Sequence, residues 1–172
     1  MDLPRRNIEI KARDPDPARS LKVCLALGAS DEGWLQQRDT YLQVPSGRLK
    51  IREEGPRAQL IYYIRADSAV ARESRYHLLD ISRSPQLKGV LVDALGAEVI
   101  VEKRRHLLLL GNVRIHLDDV EGLGDFIEIE AVADSASDLT DERQQVSQIQ
   151  GALAITVDQM VAWSYSDALR RA

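Results

Sequence analysis

Residues 124–131 read GDFIEIEA, and residues 5–12 read RRNIEIKA. Each stretch alternates isoleucine with charged or polar residues, and this period of two is typical of a β-strand with one apolar and one charged face. In most half-buried strands the charged face meets water. If the charged face instead lines the inside of a closed sheet, the same pattern describes a binding site. Periodicity alone leaves both arrangements open.

Length and composition predict one globular domain over residues 1–172, with 44% hydrophobic and 29% charged residues. The formal net charge of −4 argues against nonspecific nucleic-acid binding. Cys24 is the only cysteine, which excludes an intrachain disulfide and a thiolate zinc site. The sequence shows neither a secretory leader pattern nor an apolar run of membrane-spanning length. We therefore expect a cytoplasmic protein.

The order of predicted elements is strand, helix and three strands, and this order then recurs. Helix ends are indicated by Gly28 and Gly96, and Ser84 and Pro85 indicate the start of the second helix. Both helices end in ALGA, which suggests a duplicated plan. The strands are predicted at 6–12, 39–44, 47–53, 58–67, 76–82, 98–110, 112–120 and 125–132, the helices at 14–30, 84–97, 140–155 and 156–172, and mobile loops at 66–74 and 133–138.

Eight strands suffice for a closed antiparallel β-barrel flanked by helices, which is an α+β fold. In such a barrel the Ile, Leu and Val rows pack outward under the helices and the charged rows line the lumen. Strand parity then groups Asn7, Glu9 and Lys11; Arg48, Lys50 and Arg52; Tyr63 and Arg65; Lys103 and Arg105; Arg114, His116 and Asp118; and Glu128 and Glu130.

The charges on these rows separate into a basic set and an acidic set. Like charges crowded in a lumen are costly unless a polyanion and cations fill it. Arginine forks suit phosphate, and clustered carboxylates suit Mg²⁺ or Mn²⁺. The type of charge thus favours an inward-facing polyphosphate site with a metal over a solvated sheet face.

These segments resemble the CYTH family of triphosphate tunnel metalloenzymes, which includes class IV adenylate cyclases and thiamine or inorganic triphosphatases. The family's Glu-x-Glu-x-Lys signature is matched at residues 7–11, except that Asn7 stands where glutamate is usual. The segments DTYLQVPSGRLKIRE, VEKRRH, RIHLDDVEGLGDFIEIE and SYSDAL follow in family order. The resemblance implies an eight-stranded tunnel that holds a triphosphate and a divalent cation.

The resemblance also implies residue roles and a Mg²⁺ or Mn²⁺ cofactor. A neutral amide at Asn7 implies weaker metal affinity, or the loss of one of two metals. Arg48 and Arg65 are expected near the tunnel mouths. Asp118 shares the lumen face and is expected either to bind metal or to orient an arginine. The implied metal ligands are Glu9, Glu128 and Glu130, joined by Asp118; the implied triphosphate-binding residues are Lys11, Lys50, Arg52, Arg65, Lys103, Arg105 and Arg114; and the implied catalytic residues are Lys11, Glu9 and Glu130.

The expected reaction is that of a class IV adenylate cyclase, which converts ATP to cyclic AMP and pyrophosphate. The alternative is a triphosphatase that hydrolyses inorganic, thiamine or nucleoside triphosphate, and a third reading is a noncatalytic polyphosphate or nucleotide sensor. The expected partner is a nucleotide or inorganic triphosphate, without nucleic acid or membrane, and a homodimer is compatible with the sequence. Histidines 77, 106 and 116 are read as structural or surface residues, with His116 on the lumen face, and Trp34 and Trp163 as packing residues of the shell.

Overall fold

The computed structural model describes residues 4–171. The strands are β1 (Arg5–Arg13), β2 (Ser30–Leu42), β3 (Arg48–Glu54), β4 (Arg57–Arg65), β5 (Arg72–Asp80), β6 (Ala97–Leu110), β7 (Val113–Val120) and β8 (Gly124–Ala133). The helices are α1 (Pro17–Ala26), α2 (Gln86–Leu95), α3 (Thr140–Ala152) and α4 (Tyr165–Leu169), with a 3₁₀ turn at Val157–Gln159.

The eight strands close into an antiparallel barrel in the order β1-β5-β4-β3-β2-β6-β7-β8. The pairing repeats between the two halves of the chain. Strand β1 lies beside β5 and β2 beside β6, while the pair β2–β3 corresponds to β6–β7 and β3–β4 to β7–β8. Exchanging the two halves therefore leaves the strand order unchanged, which agrees with the duplicated plan read from the sequence.

The isoleucine rows of β1 and β8 face outward and form the main core with α1 and α3. Ile8, Ile10 and Ile129 are almost fully buried and belong to one apolar cluster with Cys24 of α1 and Val146 of α3. A second cluster joins Leu42 and Ile51 to leucines of α2. Burying a side chain of this size contributes about 1.5–3 kcal/mol. Helix packing thus occupies the apolar faces and leaves the charged faces to the barrel interior.

Helix α1 begins and ends where its sequence signals predict. The Asp16 carboxylate accepts a hydrogen bond from the backbone N–H of Arg19 at 3.0 Å, and Pro17 stands at the first helical position. Just beyond the end, Gly28 has a φ of +90°, a left-handed conformation that favours glycine. Helix α2 ends at Gly96 as expected, but it begins at Gln86 after Pro85, and Ser84 does not cap it.

Two strands begin several residues before their predicted starts. Strand β2 begins at Ser30 and not at residue 39, because its first half pairs with β6 although it lacks apolar alternation. The register of that pair shifts between Asp31 and Gly33, and such a bulge hides the period of two. Strand β5 begins at Arg72 and not at residue 76, so the end of the predicted mobile loop at 66–74 belongs to the barrel wall.

The predicted helix over 156–172 is wrong. After the 3₁₀ turn the chain runs extended along β1, with a backbone hydrogen bond of 2.8 Å from Val161 N–H to the Lys11 carbonyl and a bridge between Ala12 and Met160. The Ser164 hydroxyl then caps the short helix α4 by accepting from the N–H of Asp167. Pairing with β1 therefore outcompetes a continuous helix. Within residues 4–171, no helix has the length and apolar character needed to cross a membrane.

Candidate functional site

A cavity of about 460 Å³ fills the barrel interior and is lined by the charged rows. Alternate residues of the strands point into it, as parity requires. The cavity brings together these residues predicted from the sequence: Asn7, Glu9, Lys11, Lys50, Arg52, Arg65, Lys103, Arg105, Arg114, His116, Glu128 and Glu130. The charged faces of the strands therefore point inward.

Asp39 of β2 anchors one group of cations. Its carboxylate accepts hydrogen bonds from Arg52 Nε and Nη2, both at 2.7 Å, and from Lys50 Nζ at 2.8 Å. The side chain is 1% exposed. Burial opposes its ionisation, but the charges of Arg52 and Lys50 hold the pKa of Asp39 well below its usual range. An ionised Asp39 thus keeps both cations fixed in the wall.

Asp118 of β7 holds a second arginine, Arg105, in the same way. Arg105 Nε and Nη2 each donate to this carboxylate at 2.6 Å, and the Tyr165 hydroxyl donates at 2.9 Å. Burial again opposes ionisation, and the Arg105 charge outweighs it and lowers the pKa of Asp118 to about 2. Both carboxylate oxygens are therefore engaged by protein donors. Of the two roles expected for Asp118, the contacts match the orienting of an arginine: Asp118 points into the barrel interior and is covered by Arg105.

Lys103 lies between the two aspartates. Its Nζ is 3.7 Å from Asp39 Oδ2 and 3.8 Å from Asp118 Oδ2. Burial, followed by the neighbouring charge of Arg105, lowers the pKa of Lys103 to about 7. An anion in the cavity would favour its protonated form. With an anion bound in the cavity, Lys103 would therefore act as an ammonium donor to that anion.

Lys11 of β1 faces β8. Its Nζ is 2.9 Å from Glu128 Oε1 and lies 3.5 Å from the centre of the Tyr165 ring. Burial lowers the pKa of Lys11, and the Glu128 carboxylate counteracts this. The other oxygen of Glu128 accepts from Arg105 Nη2 at 2.6 Å. Glu128 therefore links the first strand of the barrel to the Arg105 group.

Glu9 is held by two arginines. Arg65 Nη1 donates to Glu9 Oε1, and Arg72 Nε and Nη2 lie 3.4 Å from the same oxygen. Arg72 also donates to the backbone carbonyls of Val161 and Ala162 at 3.3 and 3.2 Å. These contacts tie the wall to the extended C-terminal segment. Of the predicted metal ligands, Glu9 is the one that two arginines contact.

Three donor atoms converge on the adjoining strands β7 and β8. The imidazole of His116 and the carboxylates of Glu128 and Glu130 place one ligand atom each within 4.8 Å of one another. Burial lowers the pKa of His116, which keeps a nitrogen lone pair for a cation near neutral pH. The buried His116 Nδ1 and Asn7 Oδ1 have no hydrogen-bond partner within residues 4–171. This donor set fits a divalent cation.

The CYTH domain family model matches residues 5–165. The chain belongs to the CYTH family. The adenylate cyclase CyaB of Aeromonas hydrophila is 25% identical over 138 residues, which are 76% of this chain and 70% of the relative. The structure of the PH1012 protein of Pyrococcus horikoshii OT3 has a TM-score of 0.82 at 23% identity, covering 94% of this chain and 98% of that one.

One further structure with a similar fold comes from a protein described with a different activity. HpAC1 from Hippeastrum, whose description reports a dominant triphosphatase activity, has a TM-score of 0.64 at 14% identity and covers 97% of this chain and 95% of its own. CYTH relatives thus carry adenylate cyclase and triphosphatase names. The likeness to these structures extends to the barrel fold of this chain.

A second pocket of about 520 Å³ opens at one mouth of the CYTH barrel and shares Tyr41 and Arg65 with the lumen. Arg48 lines it and pairs with Asp67 of the β4–β5 connection at 2.9 Å and with Asp167 of α4 at 2.7 Å. Arg48 therefore lies at the mouth, as expected. Arg65 lines both spaces, in agreement with its expected position.

Sequence reasoning missed Asp39 and Arg72. The parity of Asp39 matches the inward Gln37 and Tyr41, and that of Arg72 matches Ser74, so extending both strands would have found them. One expectation for the shell also failed. Trp34 is 56% exposed and stacks on His106 with ring centres 4.6 Å apart, whereas Trp163 packs edge-on against Phe126 as expected.

Proposed function

We propose that this protein is a metal-dependent CYTH enzyme that converts ATP to cyclic AMP and pyrophosphate. One observation carries the proposal: the basic rows converge on a single cavity beside the His116–Glu128–Glu130 donors. The likeness to CyaB of Aeromonas hydrophila supports the cyclase reaction. We assign triphosphate binding to Lys11, Lys50, Arg52, Arg65, Lys103, Arg105 and Arg114, and metal binding to the Glu128 and Glu130 side of the lumen.

The arginines keep donors for phosphate even while they are paired. A guanidinium carries five N–H groups, and a side-on carboxylate takes two of them. Asp39 takes two from Arg52 and Asp118 takes two from Arg105. The aspartates thus orient both guanidinium groups and leave further N–H groups to bind phosphate oxygens. Lys103 and Arg114 add charge from neighbouring positions of the wall.

In the proposed reaction the ribose 3′-oxygen of ATP forms a bond to the α-phosphorus. The bond from this phosphorus to the α,β-bridging oxygen breaks, pyrophosphate leaves with that electron pair, and the hydroxyl proton passes to water. The basic rows hold the triphosphate in line and compensate the charge that develops on the leaving pyrophosphate. A divalent cation on the glutamates supplies Lewis-acid polarisation of a phosphate oxygen when bound.

The pocket at the mouth supports a nucleotide as substrate. It adjoins the lumen through Tyr41 and Arg65, so a triphosphate in the lumen would leave its nucleoside in this space. Gln43 and Glu98 line it and offer amide and carboxylate groups to a base or ribose. Inorganic triphosphate makes no use of these groups.

The second candidate function is triphosphate hydrolysis, and the likeness to HpAC1 of Hippeastrum favours it. In that reaction a water molecule attacks the terminal phosphorus, the bond to the bridging oxygen breaks, and orthophosphate is released. The same basic rows would bind the substrate. The two reactions differ in the attacking oxygen and in the phosphorus that it attacks.

Product analysis separates these functions. The purified protein is incubated with ATP, tripolyphosphate or thiamine triphosphate, each with Mg²⁺ or Mn²⁺, and products are identified by chromatography and ³¹P NMR. Cyclic AMP with equimolar pyrophosphate is the expected result. Orthophosphate without cyclic AMP would replace the cyclase assignment with the triphosphatase. Binding without turnover of any substrate would indicate a sensor and overturn the proposed enzyme.

A further inference from the structure

The metal-facing cluster contains one donor that is not an oxygen. His116 of β7 is directly opposite Glu128 of β8 in the antiparallel register, so the two side chains project to the same face. His116 Nδ1 is 3.5 Å from Glu128 Oε2 and 3.8 Å from Glu130 Oε1. The residue is 4% exposed and lines the lumen. Its nitrogen is therefore aimed at both carboxylates from inside a polar cavity.

These separations are longer than a good hydrogen bond and lie between the adjacent and opposite ligand spacings of an octahedral ion. An N–H···O hydrogen bond spans roughly 2.7–3.2 Å, and His116 Nδ1 has no hydrogen-bond partner within residues 4–171. Ligands about 2.1 Å from an octahedral ion are roughly 3 Å apart when adjacent and roughly 4.2 Å apart when opposite. The distances from His116 Nδ1 to the two carboxylates lie in this range.

The two carboxylates differ in their availability to an ion. Glu128 is engaged on both oxygens, by Lys11 and by Arg105. Glu130 makes no ion pair with a lysine or arginine in the described part of the chain, although Arg114 and Glu9 are its cross-strand neighbours, and its Oε1 is 3.8 Å from His116 Nδ1. The donors best placed for an ion are thus the Glu130 carboxylate and the His116 nitrogen, with Glu128 completing the set.

We propose that His116 binds the lumen cation directly through Nδ1 and makes the site select a first-row transition ion such as Mn²⁺ over Mg²⁺. This inference rests on the proposed function in that the lumen takes a divalent cation. Mg²⁺ requires oxygen ligands in a near-ideal octahedron and gives up water reluctantly. Imidazole nitrogen suits transition ions, and carboxylates suit Mn²⁺ as well as Mg²⁺. The nitrogen is therefore the ligand that discriminates.

Mn²⁺ alone, without any triphosphate, is the probe. Electron paramagnetic resonance titration gives the Kd of Mn²⁺, competition gives the Kd of Mg²⁺, and electron spin echo modulation detects ¹⁴N bound to Mn²⁺. We expect ¹⁴N modulation in the wild type and a Kd for Mn²⁺ at least tenfold below that for Mg²⁺. Loss of a supporting residue costs roughly 10–100-fold in metal affinity, and His116→Gln should cost at least this for Mn²⁺.

The other two histidines are matched controls. His77 is exposed on β5, and His106 packs under Trp34 outside the barrel, where its Nε2 is 2.7 Å from Asp31. His77→Gln and His106→Gln should keep both the ¹⁴N signal and the Mn²⁺ affinity. The proposal fails if the wild type binds no Mn²⁺ or shows no ¹⁴N modulation, if His116→Gln keeps the signal, or if it weakens Mn²⁺ and Mg²⁺ equally.

The Mn²⁺-binding measurement does not depend on whether the protein turns over a substrate. Binding of Mn²⁺ through nitrogen in a protein that forms no product would sustain the metal site and defeat the proposed reaction. Cyclic AMP formation without a nitrogen ligand would do the reverse. Circular dichroism melting confirms that His116→Gln is folded. If that variant does not fold, the wild-type echo spectrum together with the two control variants still decides whether an imidazole binds the ion and which one remains.

Discussion

Two pairs of carboxylates lie in the barrel wall, and their surroundings differ. Asp39 and Asp118 each accept two hydrogen bonds from one guanidinium, and a lysine or a tyrosine adds a third. Glu128 and Glu130 lie with His116 around a point where three donor atoms meet. A saturated carboxylate fixes the cations beside it, as Glu128 also does for Lys11 and Arg105, whereas Glu130 pairs with no lysine or arginine within residues 4–171 and is available to a ligand. The barrel therefore separates acidic residues that support the site from acidic residues that bind.

The largest expected effect is the loss of stability on removing the charge of Asp39. Asp39→Asn leaves Arg52, Lys50 and Lys103 without their shared counter-charge, and breaking a buried ion pair on one side costs about 3–5 kcal/mol. Urea unfolding measures this loss of unfolding free energy. The exposed Asp119 of β7 provides the control, because Asp119→Asn should change stability by less than about 0.5 kcal/mol. Equal stability of the two variants would show that Asp39 does not hold the cations.

The binding pair should respond in the opposite way. Glu130→Gln removes a charged ligand but breaks no ion pair with lysine or arginine within residues 4–171. We expect its unfolding free energy to stay within about 1 kcal/mol of the wild type and its product formation to fall roughly 100-fold or more. Initial rates at limiting Mn²⁺ measure the second effect, with Glu121→Gln in an exposed turn as control. Unchanged rates would remove Glu130 from the site.

Tripolyphosphate without metal tests the basic rows between the two pairs. Bound at about a hundred times its Kd, it should add about 2.7 kcal/mol of stability and raise the Tm by several degrees. Orthophosphate at matched ionic strength should do much less, because it spans fewer donors. Arg114 lines the lumen, whereas Arg104 lies outside it over Trp34, so Arg114→Ala should reduce the shift and Arg104→Ala should not. Equal shifts from both anions would contradict lumen binding.

Lowering the pH tests whether Asp118 supports the fold in its ionised form. The pKa of Asp118 is lowered from 3.8 to about 2 in the folded protein. Its contribution is therefore fully present above pH 3.8 and is lost as the pH falls through 2, and a shift of this size corresponds to roughly 2 kcal/mol. Urea unfolding between pH 6 and pH 2 should show this decline. Asp118→Asn should flatten it, and stability that rose on acidification would contradict the assignment.

Alternation along single strands predicted which side chains share a face, and the type of charge together with the CYTH resemblance predicted that the charged faces point inward. Glu128 and Glu130 could be placed from GDFIEIEA because the isoleucines between them must be buried under helices. Lys50 with Arg52, and Lys103 with Arg105, follow the same rule. The prediction succeeded where each strand carries its own apolar row, since burial of that row sets the direction of the other face.

The parts that could not be predicted depend on distant partners. Asp39 stood at the predicted start of β2, because the preceding residues have no apolar row and are held in the sheet by pairing with β6. Arg72 was assigned to a loop, and its contacts with Glu9 and with the carbonyls of Val161 and Ala162 come from chain segments far away. Only the two carboxylates on the adjacent strand mark the nitrogen of His116 as a candidate metal ligand. Local periodicity contains none of this information.

The closure of the barrel also bears on how the chain folds during synthesis. Strand β1 leaves the ribosome first, but its neighbours in the barrel are β5 and β8, and the contact between Arg6 and Ser137 spans 131 residues. Contacts of such sequence separation form late, because the loop entropy must be overcome first. The Lys11–Glu128 pair closes at the same seam. Until β8 emerges, one edge of β1 stays unpaired and the cation wall is unfinished, and such an edge is a site where another chain can pair.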